Sequence, residues 1–204
     1  MELTKTYVNQ VKKYIESTGI YKQKGLFEAK DPHDDSVTVF ATNSISLIWF
    51  TPFGDDEQIR GSDFTGLEVN DGSAIVGGGV WEHVVKPYVY DFNWNYREDP
   101  IAVPLSDLRE QIEFIKEEND IPKKIKLYDV SIQTSKVDAR IGGFYIVPEL
   151  LYDVGKLVGK DTIEVYIPKK NPYHPVVVVG ENKYGRHLGF VLGTGKNAIN
   201  FANK

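Results

Sequence analysis

The sequence contains no cysteine. Disulfides and thiolate metal sites are excluded, and cytoplasmic residence is the expectation. It also lacks any apolar run near the roughly 18 residues that a membrane span needs. The stretch MELTKTYVNQVKKY has no apolar centre of the kind found in a secretory leader. No membrane partner is expected. A basic excess is missing too, since 24 Lys and Arg face 29 Asp and Glu for a formal charge of −5. That balance argues against indiscriminate binding along nucleic acid, while a local basic face stays open.

Motifs for chemistry are equally scarce. No serine stands in a nucleophile motif. VGGGV (76–80) and RIGG (140–143) do not follow the strand–GxGxxG–helix order of a phosphate cradle, and glycines inside strands more often mark bulges. DPHDD (31–35) sets His33 beside three acids, but a metal would need ligands converging from elsewhere, and an acidic turn explains the cluster as well. His174 and His187 read as structural or solvated. We therefore expect no catalytic residue, no metal and no cofactor, and the chain reads as non-enzymatic.

What is present is patterning. In 204 residues, 41% of them hydrophobic, there is room for a substantial core. Val8, Val11 and Ile15 recur at helical spacing between a Thr4 cap and Gly19, which predicts a helix over 4–17. GLFEA, SVTVFAT and SISLIWFT read as strands, and 54–66 as an exposed acidic loop. LEV precedes an NDG turn; 73–85 has no clear assignment. In PYVYDFNWNY (87–96), Tyr88, Tyr90, Phe92, Trp94 and Tyr96 alternate with smaller residues. A period of two predicts an extended strand with every aromatic on one face. That face is a candidate core surface or subunit interface, packed on a helix or a neighbouring copy, or a stacking surface for single-stranded nucleic acid or sugar rings.

After REDP the pattern restarts. IAV is a short strand, Ser106 caps a helix to Asn119, and KKIKLYDVSIQ and KVDARIGG read as strands. FYIV is a further short strand, and Pro148 opens a helix to Val158. TIEVYI and the hairpin PVVVVGENKYGRHLGFVLG close the globular part, leaving a polar tail. The expected fold is α+β, with a strand–helix–three-strand unit occurring twice in the second half and a helix plus three strands at the N-terminus. Such a unit cannot bury its apolar face alone, so copies must join their sheets beneath their helices. Domains are expected at 1–98 and 99–204.

The segment VPELLYDVGKLVGKDTIEVYIPKKNPYHPVVVVGENKYGRHLGFVLG resembles the last half-domain of a DNA sliding clamp, the polymerase processivity factor. Leu150, Val154 and Leu157 occupy the family's helix positions. Asp161, Ile163 and Val165 match the next strand, and Pro175 opens the penultimate one. FATNSISLIWF is similar to the clamp strand pair with an Ala-Thr-Asp turn, with Ala41, Thr42 and Asn43 in those places. The resemblance implies DNA-clamp-like domains with antiparallel sheets, and a processivity or scaffold factor of a phage, mobile element or bacterial host. Its implied partners are duplex DNA, a DNA polymerase or other replication proteins, and further copies of itself in a symmetric oligomer.

A clamp wall reads phosphate with helix-borne cations. The candidates are Lys5, Lys12 and Lys13 on the first helix, Arg109 and Lys116 on the second, and Lys156 and Lys160 on or after the third. The second helix also carries Asp107, Glu110, Glu113, Glu117 and Glu118, a poor composition for a DNA-facing surface. The other reading is a clamp-fold binding protein that does not encircle DNA and uses its aromatic ladder as an oligomer or ligand surface.

Overall fold

The computed structural model describes residues 2–17, 23–33, 35–50, 58–118, 128–129, 145–146, 148–169 and 174–191. An eight-stranded sheet is the centre of the fold. Its strands are β1 (Gly25–Lys30), β2 (Val37–Thr42), β3 (Ser46–Trp49), β4 (Val69–Asp71), β5 (Ile101–Pro104), β8 (Thr162–Tyr166), β9 (Val176–Asn182) and β10 (Gly185–Val191). They lie in the order β4-β1-β2-β3-β10-β9-β8-β5. All neighbours are antiparallel except β1 and β4. The remaining strands, β6 (Tyr128–Asp129) and β7 (Tyr145–Ile146), pair only with each other.

Three regular helices, α1 (Lys5–Glu16), α2 (Leu105–Glu118) and α3 (Pro148–Val158), cover one face. Their apolar stripes, Tyr7, Val8, Val11 and Tyr14 on α1 and Leu150, Leu151, Val154, Leu157 and Val158 on α3, join one aliphatic core with Val39, Ile48, Val176 and Val178 of the sheet. The alternate residues Phe40, Trp49, Val177 and Val179 turn to the other face. Because both faces are buried, successive strand residues are all apolar, and this is the physical meaning of the VVVV run. Each fully buried Val, Leu or Ile contributes about 1.5–3 kcal/mol of transfer free energy.

Two units with the same order, α1-β1-β2-β3 and α3-β8-β9-β10, meet edge to edge where β3 pairs with β10 (Leu188 opposite Trp49, Val191 opposite Ser46). The expected joining of sheets beneath helices is present in this seam. Strands from either side of the expected 98/99 boundary thus share one sheet.

Local chemistry fixes the first unit. Thr4 caps α1 by accepting from the Tyr7 amide. The ATN turn works through its polar atoms: Asn43 Oδ1 accepts from the Ile45 and Ser46 amides at 3.1 and 2.9 Å, and its Nδ2 donates to Ser17 Oγ. Ser44 follows at φ 77°, a left-handed conformation that the turn holds in place. The tyrosines of α1 tie the two units together. Tyr7 donates to the Leu157 carbonyl at 2.8 Å, and its ring lies 4.7 Å from that of Tyr184 in the β9–β10 turn. The Tyr184 hydroxyl accepts from the Thr4 amide at 2.9 Å.

The aromatic ladder departs from expectation. Residues 87–96 are not an extended strand: Lys86–Val89 and Phe92–Asn95 are short helical turns following a π-helical stretch, Val76–Val85. A two-residue alternation contains a four-residue one. On helical turns Tyr88, Phe92 and Tyr96 therefore fall together, while Tyr90 and Trp94 fall elsewhere. The helical form is favoured by Pro87 at the start of a turn and by the Glu82–Lys86 ion pair at 2.9 Å. VGGGV lies in the π-helical stretch, not in a strand, with Gly79 at φ 113° where the helix kinks.

Three boundaries also shift. Asn70 and Asp71, read as a turn, belong to β4. Helix α2 begins one residue before Ser106 and ends at Glu118. The segment 54–66 is not simply an exposed loop: it holds a 3-10 turn at Gly61–Asp63 and sends Ile59 and Phe64 into the aliphatic core, while 54–57 lie outside the described residues. KVDARIGG, Gly19, Asn119, most of KKIKLYDVSIQ and the tail after Val191 lie outside the described residues.

Candidate functional site

The outward surface of the helix layer carries the candidate DNA-facing residues. Helical register sets Lys5 and Lys12, seven apart, on one stripe of α1, while Lys13 turns toward α3. There Gln10, Lys13 and Tyr14 line a groove of about 220 Å³ with Asp153, Lys156 and Leu157 of α3. Lys5, Lys12 and Lys13 are all exposed, and none forms an ion pair among the described residues.

The remaining cations are differently placed. Arg109 bonds Glu113 through Nε at 3.0 Å, and that carboxylate raises the guanidinium pKa. Lys156 lies 3.4 Å from Asp153 and 4.8 Å from the Tyr152 ring centre. Lys160, beyond the end of α3, faces Asp161 at 4.0 Å. The Lys116 side chain is outside the described residues, although its backbone lies on α2. Exposed Asp107 and Glu110 share α2 with Arg109. Among the described residues, positive charge without an ion pair on this face is thus concentrated on α1, and their cations do not form a uniformly basic wall.

The other face is aromatic. Tyr88, Phe92, Tyr96 and Tyr166 of β8 form one cluster, with Tyr88 5.4 Å from each of the other three rings. Tyr96 is fully buried and donates to the Pro175 carbonyl at 3.0 Å. Burial pushes the Tyr88 and Tyr96 phenols well above their usual range. Tyr90 stands between Trp81 at 5.6 Å and His33 at 4.2 Å, while Trp94 is 75% exposed. The five ladder residues therefore do not share one stacking surface; Tyr88, Phe92 and Tyr96 are structural, and Tyr90 and Trp94 face outward.

His33 belongs to a turn in which its own amide donates to Asp31 Oδ1 at 2.8 Å. Among the described residues no group of three or more His, Cys, Asp or Glu is arranged to hold a metal ion. No helix among them is long and apolar enough to cross a membrane. Of the two readings given to His187, structural or solvated, the structure shows the first: it is completely buried on β10. Its only sequence signal was a polar residue at an inward position of a core strand. Compared with family models, curated proteins and solved structures, this chain gives no match.

Proposed function

We propose that the chain is a non-enzymatic binding protein, built on a sliding-clamp-like pair of units, that meets duplex DNA from one side and does not encircle it. The observation that carries this reading is the distribution of cations over the helix face. Lys5, Lys12 and Lys13 are exposed without ion pairs among the described residues, whereas Arg109, Lys156 and Lys160 each have a carboxylate beside them. A wall that surrounds a duplex must offer positive charge from every helix, whereas among the described side chains of α2 the acids Asp107, Glu110 and Glu113 outnumber Arg109. Side-on contact through α1 needs only the phosphates of one short stretch.

Few phosphate contacts mean a shallow salt dependence. Three lysines would give a slope of log affinity against log salt of about −3. Lys5→Glu/Lys12→Glu/Lys13→Glu would abolish binding, while the charge-removing Arg109→Gln/Lys156→Gln would weaken it far less, because each of those cations has a carboxylate beside it. A slope far steeper than this, or equal loss in both variants, would contradict side-on contact.

The second reading is a ring-forming processivity factor acting with a DNA polymerase or other replication proteins. It is favoured by the seam itself, where two helix–three-strand units pair with α1 and α3 on one face.

A further inference from the structure

The β3–β10 ladder joins the two units, and His187 stands at its end. Alternation along β10 sends Leu188 and Phe190 to the aromatic face, which leaves His187 on the helix face. Its imidazole is 0% exposed, and neither Nδ1 nor Nε2 has a hydrogen-bond partner among the described residues. Directly opposite on β9 is Gly180, whose backbone is pressed against the end of α3; a Cβ there would fall 2.6 Å from the Gly159 Cα. From the β3 side the Phe50 ring meets the imidazole edge-on at 5.8 Å. Buried polar atoms without partners are rare enough in folded proteins to need a reason.

We propose that His187 is an acid-sensitive lock: neutral, it lets β3 and β10 close, and protonated, it drives that seam apart ahead of the outer strands. The proposal does not depend on what the helix face binds. An imidazolium here would bring two N–H donors and a charge into apolar surroundings.

The charged and titratable groups on the packed elements are paired, exposed or distant from the imidazole, although one of them, Glu149, has a buried Oε2 with no hydrogen-bond partner among the described residues. On the neighbouring strands, Arg186 pairs with Glu164, and Glu181 is exposed. On α3, Asp153 faces Lys156; Glu149 lies in its first turn, at the end of the helix away from Gly159. Asp63, next to the Phe64 that packs on Phe50, accepts from the Arg60 amide. Tyr7 donates to Leu157, and Tyr184 bonds Thr4. Burial alone then lowers the His187 pKa from 6.5 to about 4. A base whose folded pKa is depressed leaves stability intact above the unfolded value. That stability is lost as pH falls from 6.5 toward about 4.

The test is native-state hydrogen exchange of the full chain at pH 7 and 5, with the His187 ring proton followed by NMR. In the unsubstituted protein the opening equilibrium of β3 and β10 amides should rise on the order of 20-fold between these pH values, as the two pKa values require. The β1–β2 amides should rise less. His187→Leu should remove the rise; should that variant not fold, His187→Gln serves, since it fills the site without titrating. An imidazole that titrates near 6.5 in the folded protein would overturn the proposal. So would a rise shared equally by all strands, or an identical pH dependence in the variant.

Discussion

The two faces of the sheet are covered by different means. On one, three regular helices lay aliphatic stripes on the strands, and the approach is so close that backbone meets backbone at Gly180 and Gly159. On the other, a π-helical stretch and two short turns hold large rings against the sheet, and Gly77 and Gly78 have open space where a Cβ would stand. The first cover depends on small residues at fixed points. The second depends on ring volume and tolerates local irregularity. The candidate surfaces follow the same division, since the candidate cations sit on the tight face and the exposed rings, Tyr90 and Trp94, on the loose one.

The largest effect that would break this comparison lies on the aromatic side. Tyr96→Ala should destabilise by about 4 kcal/mol in urea unfolding, as expected for emptying a ring-sized space in a core. An extended ladder with all five rings equivalent would instead make Tyr96→Ala and Trp94→Ala alike. On the helix side, Gly180→Ala should destabilise by about 3 kcal/mol, because the added methyl meets backbone atoms of Gly159 and Val158 that cannot swing away. A loss below about 1 kcal/mol would mean that α3 is not seated as described. The smallest effects test the looseness of the other cover. Gly77→Ala should be neutral or stabilise by up to about 1 kcal/mol, and Trp94→Ala should stay within about 0.5 kcal/mol.

The helix side was the legible one. Thr4, Pro148 and the 3.6-residue apolar stripes mark α1 and α3 because caps and periodicity are local properties. The strands of the hairpin were visible as apolar runs bounded by turn residues. The aromatic side was not legible, because Tyr88 to Tyr96 fit a strand and a pair of helical turns equally well until a partner surface decides. That surface, with Tyr166 and Pro175, lies far along the chain. Of the candidate site, the positions of Arg109 and the lysines followed from the helices. Their pairing with Glu113, Asp153 and Asp161 depended on rotamers that spacing does not determine, and the burial of His187 depended on which strand lay beside β10.

The most direct test of side-on binding compares retention on nicked circular duplex DNA with retention on the same DNA after linearisation, each followed by a wash at rising salt. Side-on contact through α1 predicts equal retention on both forms, lost together as salt rises. Salt-resistant retention on the circle, released when the DNA is cut, would contradict it and establish an encircling ring.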